Sequence, residues 1–329
     1  MQESDVTQLA EEIHRADRRA LATALNLLDN RLPAQQARAG KLLAALCASG
    51  IPSTSRLIGI TGPPGVGKSS LTAALIAVWR RRGLSVGVLA VDPSSPISGG
   101  ALLGDRLRMH QSAKDDGVFI RSLSSRGEFG GLSTEVWPMG LLMLCAFDVV
   151  LVETVGVGQR EVDVAMRCDT TCFVAQPGSG DSIQFLKAGI LEVPHVLVVN
   201  KHDMGAHAER TLSELAGAMT GEHPDGDWHV PVLATSATEH TGIEALADAL
   251  EAHHASLRQR GVVESLREQH QAHWIIKRLA NEFGSAGIAR LGGEQALLAA
   301  LCLEGGDPFT QYSRYRQQLD VRPVGNPQQ

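Results

Sequence analysis

Gly62-Pro63-Pro64-Gly65-Val66-Gly67-Lys68-Ser69 is the stretch from which the chain is read. It fills every fixed position of the phosphate-loop pattern G-x-x-x-x-G-K-[ST]. Its flanks complete the signature. Leu57-Ile58-Gly59-Ile60 is a short apolar run suited to a buried strand, and Ser70 to Arg82 spaces Leu71, Ala74, Leu75 and Val78 on one helical face. In such a strand-loop-helix unit, glycines let backbone N–H groups turn onto phosphate oxygens. The lysine adds charge near the β and γ phosphates, and the hydroxyl of Ser69, followed by Ser70, is placed for Mg²⁺. The pattern points to a bound nucleoside triphosphate, with Gly62 through Ser70 as its phosphate site.

Outward from the loop, short strands alternate with helices: Leu57–Ile60, Val86–Val91, Val118–Arg121, Val149–Glu153, Thr171–Gln176, His195–Asn200 and Val230–Thr235. These runs are rich in Val, Ile and Leu rather than alternating, as expected where helices cover both faces of a parallel sheet. The fold class is therefore α/β, a P-loop NTPase with a mostly parallel central sheet flanked by helices. Two helical stretches precede it, Gln8–Asn30 and Ala34–Ser49, and three follow it, near Val262–Phe283, Gly293–Cys302 and Pro308–Gln318. The predicted organisation is an N-terminal helical extension over 1–52, the nucleotide domain over 53–257 and a C-terminal helical arm over 258–329.

The composition narrows the partners. The 329 residues carry 30 Lys and Arg against 36 Asp and Glu, a net charge of -6, which argues against nucleic-acid binding. No apolar run reaches the ~18 residues of a membrane span. The N-terminus lacks the pattern of a signal peptide, so a cytoplasmic location is expected. The five cysteines are scattered and mostly set in apolar sequence, as reduced core residues would be. His253-His254 reads as a solvated helix face.

Two further motifs stand at strand ends, where ligands bind in open α/β sheets. Asn200-Lys201-His202-Asp203 gives N-K-x-D after the strand Val196–Val199. A carboxylate at Asp203 can accept hydrogen bonds from guanine N1–H and the 2-amino group, which adenine lacks. Asn200 would brace the loop, and the stem of Lys201 would lie against the base. Thr235-Ser236-Ala237 ends the next strand, placing Ser236 and Ala237 to help hold the guanine.

Val149 through Gly156 is an apolar strand that ends in Glu153, the arrangement of a carboxylate that holds Mg²⁺ or its water shell, with Gly156 able to sense the γ-phosphate. Val157 stands where Ras-like enzymes place a water-orienting glutamine. Gln159 is two positions later, so slow intrinsic hydrolysis, accelerated by a partner, is expected. Asp92 ends the second strand, and Asp105 follows in a Gly-rich loop. Both are candidates for the Mg²⁺ shell or for polarising water, while Arg106 and Arg108 could screen phosphate charge. Lys68, Asp92, Asp105 and Glu153 form the candidate catalytic set. Gln176-Pro177-Gly178-Ser179-Gly180-Asp181, followed by Gln184 and Lys187, suggests a segment that responds to the nucleotide.

Taken together, these motifs resemble the MeaB/ArgK type of P-loop GTPase, in the SIMIBI class. The resemblance extends to Asp92-Pro93-Ser94-Ser95, Gly99–Arg108, Glu153–Gln159, Pro177–Asp181 and Asp17-Arg18-Arg19-Ala20-Leu21-Ala22. It implies GTP and GDP with Mg²⁺, and a homodimer made by the C-terminal helices. It also implies a partner, an adenosylcobalamin-dependent acyl-CoA mutase, whose cofactor loading the GTPase gates. The segments matching Asp92–Arg108, Thr154–Asp163 and Gly178–Lys187 would be switches. Phe185 and Leu186 make the last of them less polar than the family pattern. The alternative is an ATP-dependent kinase of a periplasmic amino-acid transport system, which Asp203 opposes.

Overall fold

The computed structural model describes residues 3–30, 32–92, 115–124, 135–154, 167–178, 194–219 and 228–320. The chain divides into two units. One is built on a sheet and comprises Pro52–Val136 and Phe147–Val263. The other comprises Met1–Ile51, Trp137–Ala146 and Glu264–Gln329.

The sheet unit holds β1 (Arg56–Thr61), β2 (Val86–Asp92), β3 (Val118–Ser124), β4 (Val149–Thr154), β5 (Thr170–Ala175), β6 (Val196–Val199) and β7 (Val232–Ala234). They lie in the order β3-β2-β4-β1-β5-β6-β7, and every pair is parallel. The apolar runs behave as their composition requires. In β5, Cys172 and Val174 face one core while Phe173 and Ala175 face another, and β6 splits in the same way into Val196 and Val198 against Leu197 and Val199. Because successive side chains point to opposite faces, a strand covered on both sides must be apolar throughout.

The first core is closed by α4 (Lys68–Arg81), through Leu71, Leu75, Val78 and Trp79, and by α7 (Ile243–Gln259), through Leu246 and Leu250. The second is closed by α6 (Ala206–Ala218), through Ala208 and Leu215. Cys172 lies wholly inside, where burial pushes its thiol up to about 12, and Cys145, in the helical unit, is likewise pushed to about 12. Such thiols stay protonated and unreactive.

The helical unit contains α1 (Glu3–His14), α2 (Arg18–Leu28), α3 (Pro33–Ala48), most of α5 (Val136–Leu144) and α8 (Val263–Arg290), α9 (Glu294–Glu304) and α10 (Pro308–Asp320). Sequence spacing predicts one helix over Gln8–Asn30, but the structure breaks it. Ala16 takes a positive φ of 56°, and the Asp17 carboxylate accepts the N–H groups of Arg19 and Ala20 at 2.9 and 2.8 Å, so that Asp17 caps α2. The apolar stripe is kept across the break, since Ile13, Leu21, Leu25 and Leu28 are all fully buried. In α8 the backbone leaves helical values at Gly284, directly after the end predicted from sequence.

His253-His254 is not a solvated face. His253 is 0% exposed and His254 3%. The Nδ1 of His253 is 2.8 Å from the Thr170 hydroxyl, and its ring lies on that of His195 with centroids 4.1 Å apart and meets Trp228 edge-on. His254 donates from Nε2 to the carbonyl of Ser53 at 3.0 Å. Two adjacent helical positions can both be buried where α7 has the sheet on one side and the segment before β1 on another. His253→Ala removes a stacked ring and a buried hydrogen bond, and is expected to cost about 2–4 kcal/mol in urea unfolding. An unchanged midpoint would contradict the buried placement.

Candidate nucleotide site

The parallel register brings the three motifs to one edge of the sheet. Strand β1 lies between β4 and β5, with Ile60 opposite both Glu153 and Cys172. The loop that leaves β1 at Gly62 therefore passes the end of β4, while Asn200 and Thr235 leave β6 and β7 at the same carboxyl edge.

Two glycines of the loop are dictated by what stands next to them. Gly62 has φ 139°, and a Cβ there would lie 2.1 Å from the carbonyl oxygen of Val174. Gly67 has φ 93° and caps α4, and a Cβ on it would come 2.5 Å from the Asn200 amide nitrogen. Any other residue would displace the backbone of β5 or the side chain that braces the loop.

That brace is the Asn200 amide, only 2% exposed. Its Nδ2 donates to the Val66 carbonyl at 2.8 Å, and its Oδ1 accepts from the Thr235 hydroxyl at 3.2 Å and the Ala237 N–H at 3.3 Å. Lys201, at a positive φ of 60°, sends its ammonium to the Gly65 carbonyl at 2.7 Å and to Gln176 Oε1 at 3.2 Å. Asp203 is exposed and accepts from the Ser236 hydroxyl at 2.6 Å. Ser236 is 3.1 Å from Thr238 Oγ1 and accepts the Glu239 N–H at 3.2 Å. Base-recognising and phosphate-binding motifs thus form one hydrogen-bonded assembly.

Within the loop, the Lys68 ammonium donates to the carbonyls of Gly62 and Pro63 at 2.7 and 2.8 Å. Ser69 opens α4, and its hydroxyl donates to Glu153 Oε1 at 2.5 Å. Both are buried, Glu153 at 4% exposure. A hydroxyl and a carboxylate in contact are the oxygen donors that a hard divalent cation takes. Below them the hydroxyls of Thr154 and Thr61 are 3.2 Å apart and join the ends of β4 and β1.

The motifs did not single out Gln176 as a partner for Lys201, nor Thr238 as a support for Ser236. Gln176 directly follows β5 and the register sets it beside Asn200, the neighbour of Lys201, so its place next to the motif could have been found from the strand ends. Asp92 closes β2, but its side chain lies outside the described residues, as do Asp105, Arg106, Arg108, Gly156, Gln159, Asp181, Gln184 and Lys187.

Because Asn200 satisfies three backbone and side-chain groups at once, Asn200→Ala leaves buried polar atoms unpaired. The expected result is a loss of nucleotide affinity of roughly 10- to 100-fold, at about 1–3 kcal/mol, with a lowered melting temperature. Titration with a fluorescent GDP analogue, beside thermal unfolding, measures both.

Comparison with known proteins agrees with this geometry. The family model described as methylmalonyl-CoA mutase-associated GTPase MeaB matches residues 21–289. A putative GTPase of Pyrococcus abyssi is 40% identical over 269 residues, 80% of this chain and 81% of that protein. The GTPase ArgK of Escherichia coli is 39% identical over 284 residues, 83% and 84% of the two chains. The crystal structure of a LAO/AO transport system kinase superposes with a TM-score of 0.69 at 27% identity and covers 96% of this chain and 99% of its own. The motif resemblance, the parallel sheet and these matches agree: the chain is a P-loop GTPase and belongs to the family of methylmalonyl-CoA mutase-associated GTPases MeaB.

Proposed function

We propose that this GTPase is a chaperone that assembles with an adenosylcobalamin-dependent acyl-CoA mutase, gates loading of the cofactor and protects or reactivates the enzyme. The family description supports the choice of partner. The observation that carries the nucleotide chemistry is Asp203, held by Ser236 in the same assembly through which Asn200 braces the phosphate loop. The reading includes a cytoplasmic homodimer joined through the C-terminal helices, acting without nucleic acid or membrane.

Each residue then has a definite task. The Asp203 carboxylate accepts N1–H and the 2-amino group of guanine, and Ser236 keeps it oriented. The N–H groups from Gly62 to Ser70 and the Lys68 ammonium surround the phosphates. The contact between Ser69 and Glu153 fits Mg²⁺. These two residues would hold the ion, with Asp92 and Asp105 as further acids, and the bound ion would neutralise charge between the β and γ phosphates. Without a glutamine at Val157, water is poorly oriented until the partner docks, so hydrolysis reports the state of the complex.

Asp203→Asn exchanges one acceptor for a donor. GDP affinity should fall by roughly 100-fold, while xanthosine diphosphate, which carries an oxo group in place of the amine, should gain. Competition titrations read this directly. ADP binding more tightly than GDP to the unmodified chain would overturn the guanine assignment and favour the alternative, an ATP-dependent kinase of a periplasmic amino-acid transport system.

The chaperone role has its own test. GTP turnover should rise by about ten-fold or more on adding the cognate B12-dependent mutase. Failure of every candidate mutase either to bind or to accelerate turnover would remove the chaperone reading while leaving the guanine chemistry standing.

A further inference from the structure

The helical unit contains a cavity of about 730 Å³ that none of the nucleotide motifs lines. Its walls come from three helices distant in sequence: Gly40 and Lys41 of α3, Arg278 and Glu282 of α8, and Phe309 and Arg316 of α10. A volume of this size is that of a small-molecule site.

The chemistry of its lining is specific. The Arg278 guanidinium lies 4.4 Å from the ring centre of Tyr312 and 5.3 Å from those of Trp274 and Phe309. Its Nη2 donates to the Gln36 side-chain oxygen and the guanidinium also acts on the Tyr312 hydroxyl, whereas its buried Nη1 makes no hydrogen bond of ordinary geometry among the described residues. A guanidinium offers five donors and no acceptor, so a buried N–H left unmatched costs energy that an anionic oxygen would recover. Glu282 is already engaged: Tyr312 donates to it through its hydroxyl, and Arg316 donates through Nε at 2.7 Å. Arg314 is paired with Glu304. Lys41 adds an exposed cation from α3.

One part of the remaining wall is apolar and built by close approach, while Thr310, Ser313 and Gln317 make the rest polar. Gly40 sits mid-helix, where glycine is unfavourable by about 1 kcal/mol relative to alanine. A Cβ there would come 3.0 Å from that of Phe309, so the glycine lets α3 and α10 meet tightly. Ala37 and Ala44 continue this wall. The result is a cationic head site beside an aromatic and small-residue patch of the cavity wall.

We infer that this cavity is a second binding site, for a small organic anion with an apolar body and a carboxylate or phosphate head, in which Arg278 receives the head. The site is separate from the GTP chemistry, so its ligand would bind whether or not the mutase reading holds.

The test uses the full chain loaded with GDP and three probes of equal chain length, octanoate, octyl phosphate and octanol, followed by calorimetry. At least one anion should bind saturably, one per chain, and at least about ten-fold more tightly than octanol. The better anion identifies the head group. Arg278→Gln should weaken that binding by about ten-fold or more. Ala37→Trp, at an exposed position on the cavity wall, should block it while Arg278 stays in place. GDP affinity should be unchanged in both variants. Absence of saturable binding by either anion would overturn the proposal. So would equal affinity for octanol, or anion binding that survives Ala37→Trp.

Discussion

One buried side-chain amide ties the nucleotide site together. Asn200 reaches Val66 in the phosphate loop with its nitrogen and Thr235 and Ala237 after β7 with its oxygen. The loop after β1 and the two loops after β6 and β7 are distant in the chain. Besides backbone pairing through the sheet, Lys201 joins the first pair of loops through Gly65 and Ser236 joins the second through Asp203, but the Asn200 amide is the one side chain that bonds all three. An amide can do this because it is donor and acceptor at once, whereas a carboxylate or an ammonium could satisfy only one side. Glycine at position 67 follows from it, because the space a Cβ would need is occupied by the Asn200 nitrogen.

The same logic extends from the loop into the fold. Helix α4 begins at Lys68 and Ser69, so any displacement of this helix moves both residues. Its apolar face is fixed in the core shared with α7 by Leu71, Leu75 and Trp79. On the outside, Arg82 pairs with Glu244, Asp248 and Glu251 of α7 at 2.7 to 2.9 Å, and the Trp79 indole donates to Glu251 at 2.8 Å. Ion pairs this exposed contribute little individually. What holds α4 is the buried face.

The legible part of the sequence was what the backbone compels. Strands buried on both faces have to be largely apolar, so the five inner strands were visible as such; the half-buried edge strands β3 and β7 were visible from their short apolar runs, and errors were confined to strand ends. The phosphate loop was legible because Gly62 and Gly67 are forced by the carbonyl of Val174 and the amide of Asn200, while Lys68 and Ser69 are forced by chemistry. Side-chain burial within helices was less legible. His253 and His254 look polar in sequence, and their burial depends on Thr170, His195, Trp228 and Ser53, none of which is near them in the chain. The break at Asp17 was hidden for the opposite reason, since the apolar stripe continues through it and only the cap reveals it. Nor does any local pattern announce that Trp137 packs on Trp274, with ring centres 5.7 Å apart.

The two lysines of the site show how binding and recognition are coupled. Lys68 donates to Gly62 and Pro63, and Lys201 donates to Gly65, so both cations are held by carbonyls of the loop that is to receive phosphate. A neutral carbonyl holds an ammonium by charge–dipole attraction, while a phosphate oxygen adds the attraction between opposite full charges. Lys68 can therefore turn to phosphate at a net gain and release two carbonyls as it does so. In the proposed reading the stem of Lys201 would lie against the base while its ammonium stays on Gly65, so one side chain would join the base site to the phosphate loop. Under the proposed function, a loop arranged in this way would respond to base and phosphate together, since the residue set against the base and the loop around the phosphates share one hydrogen bond.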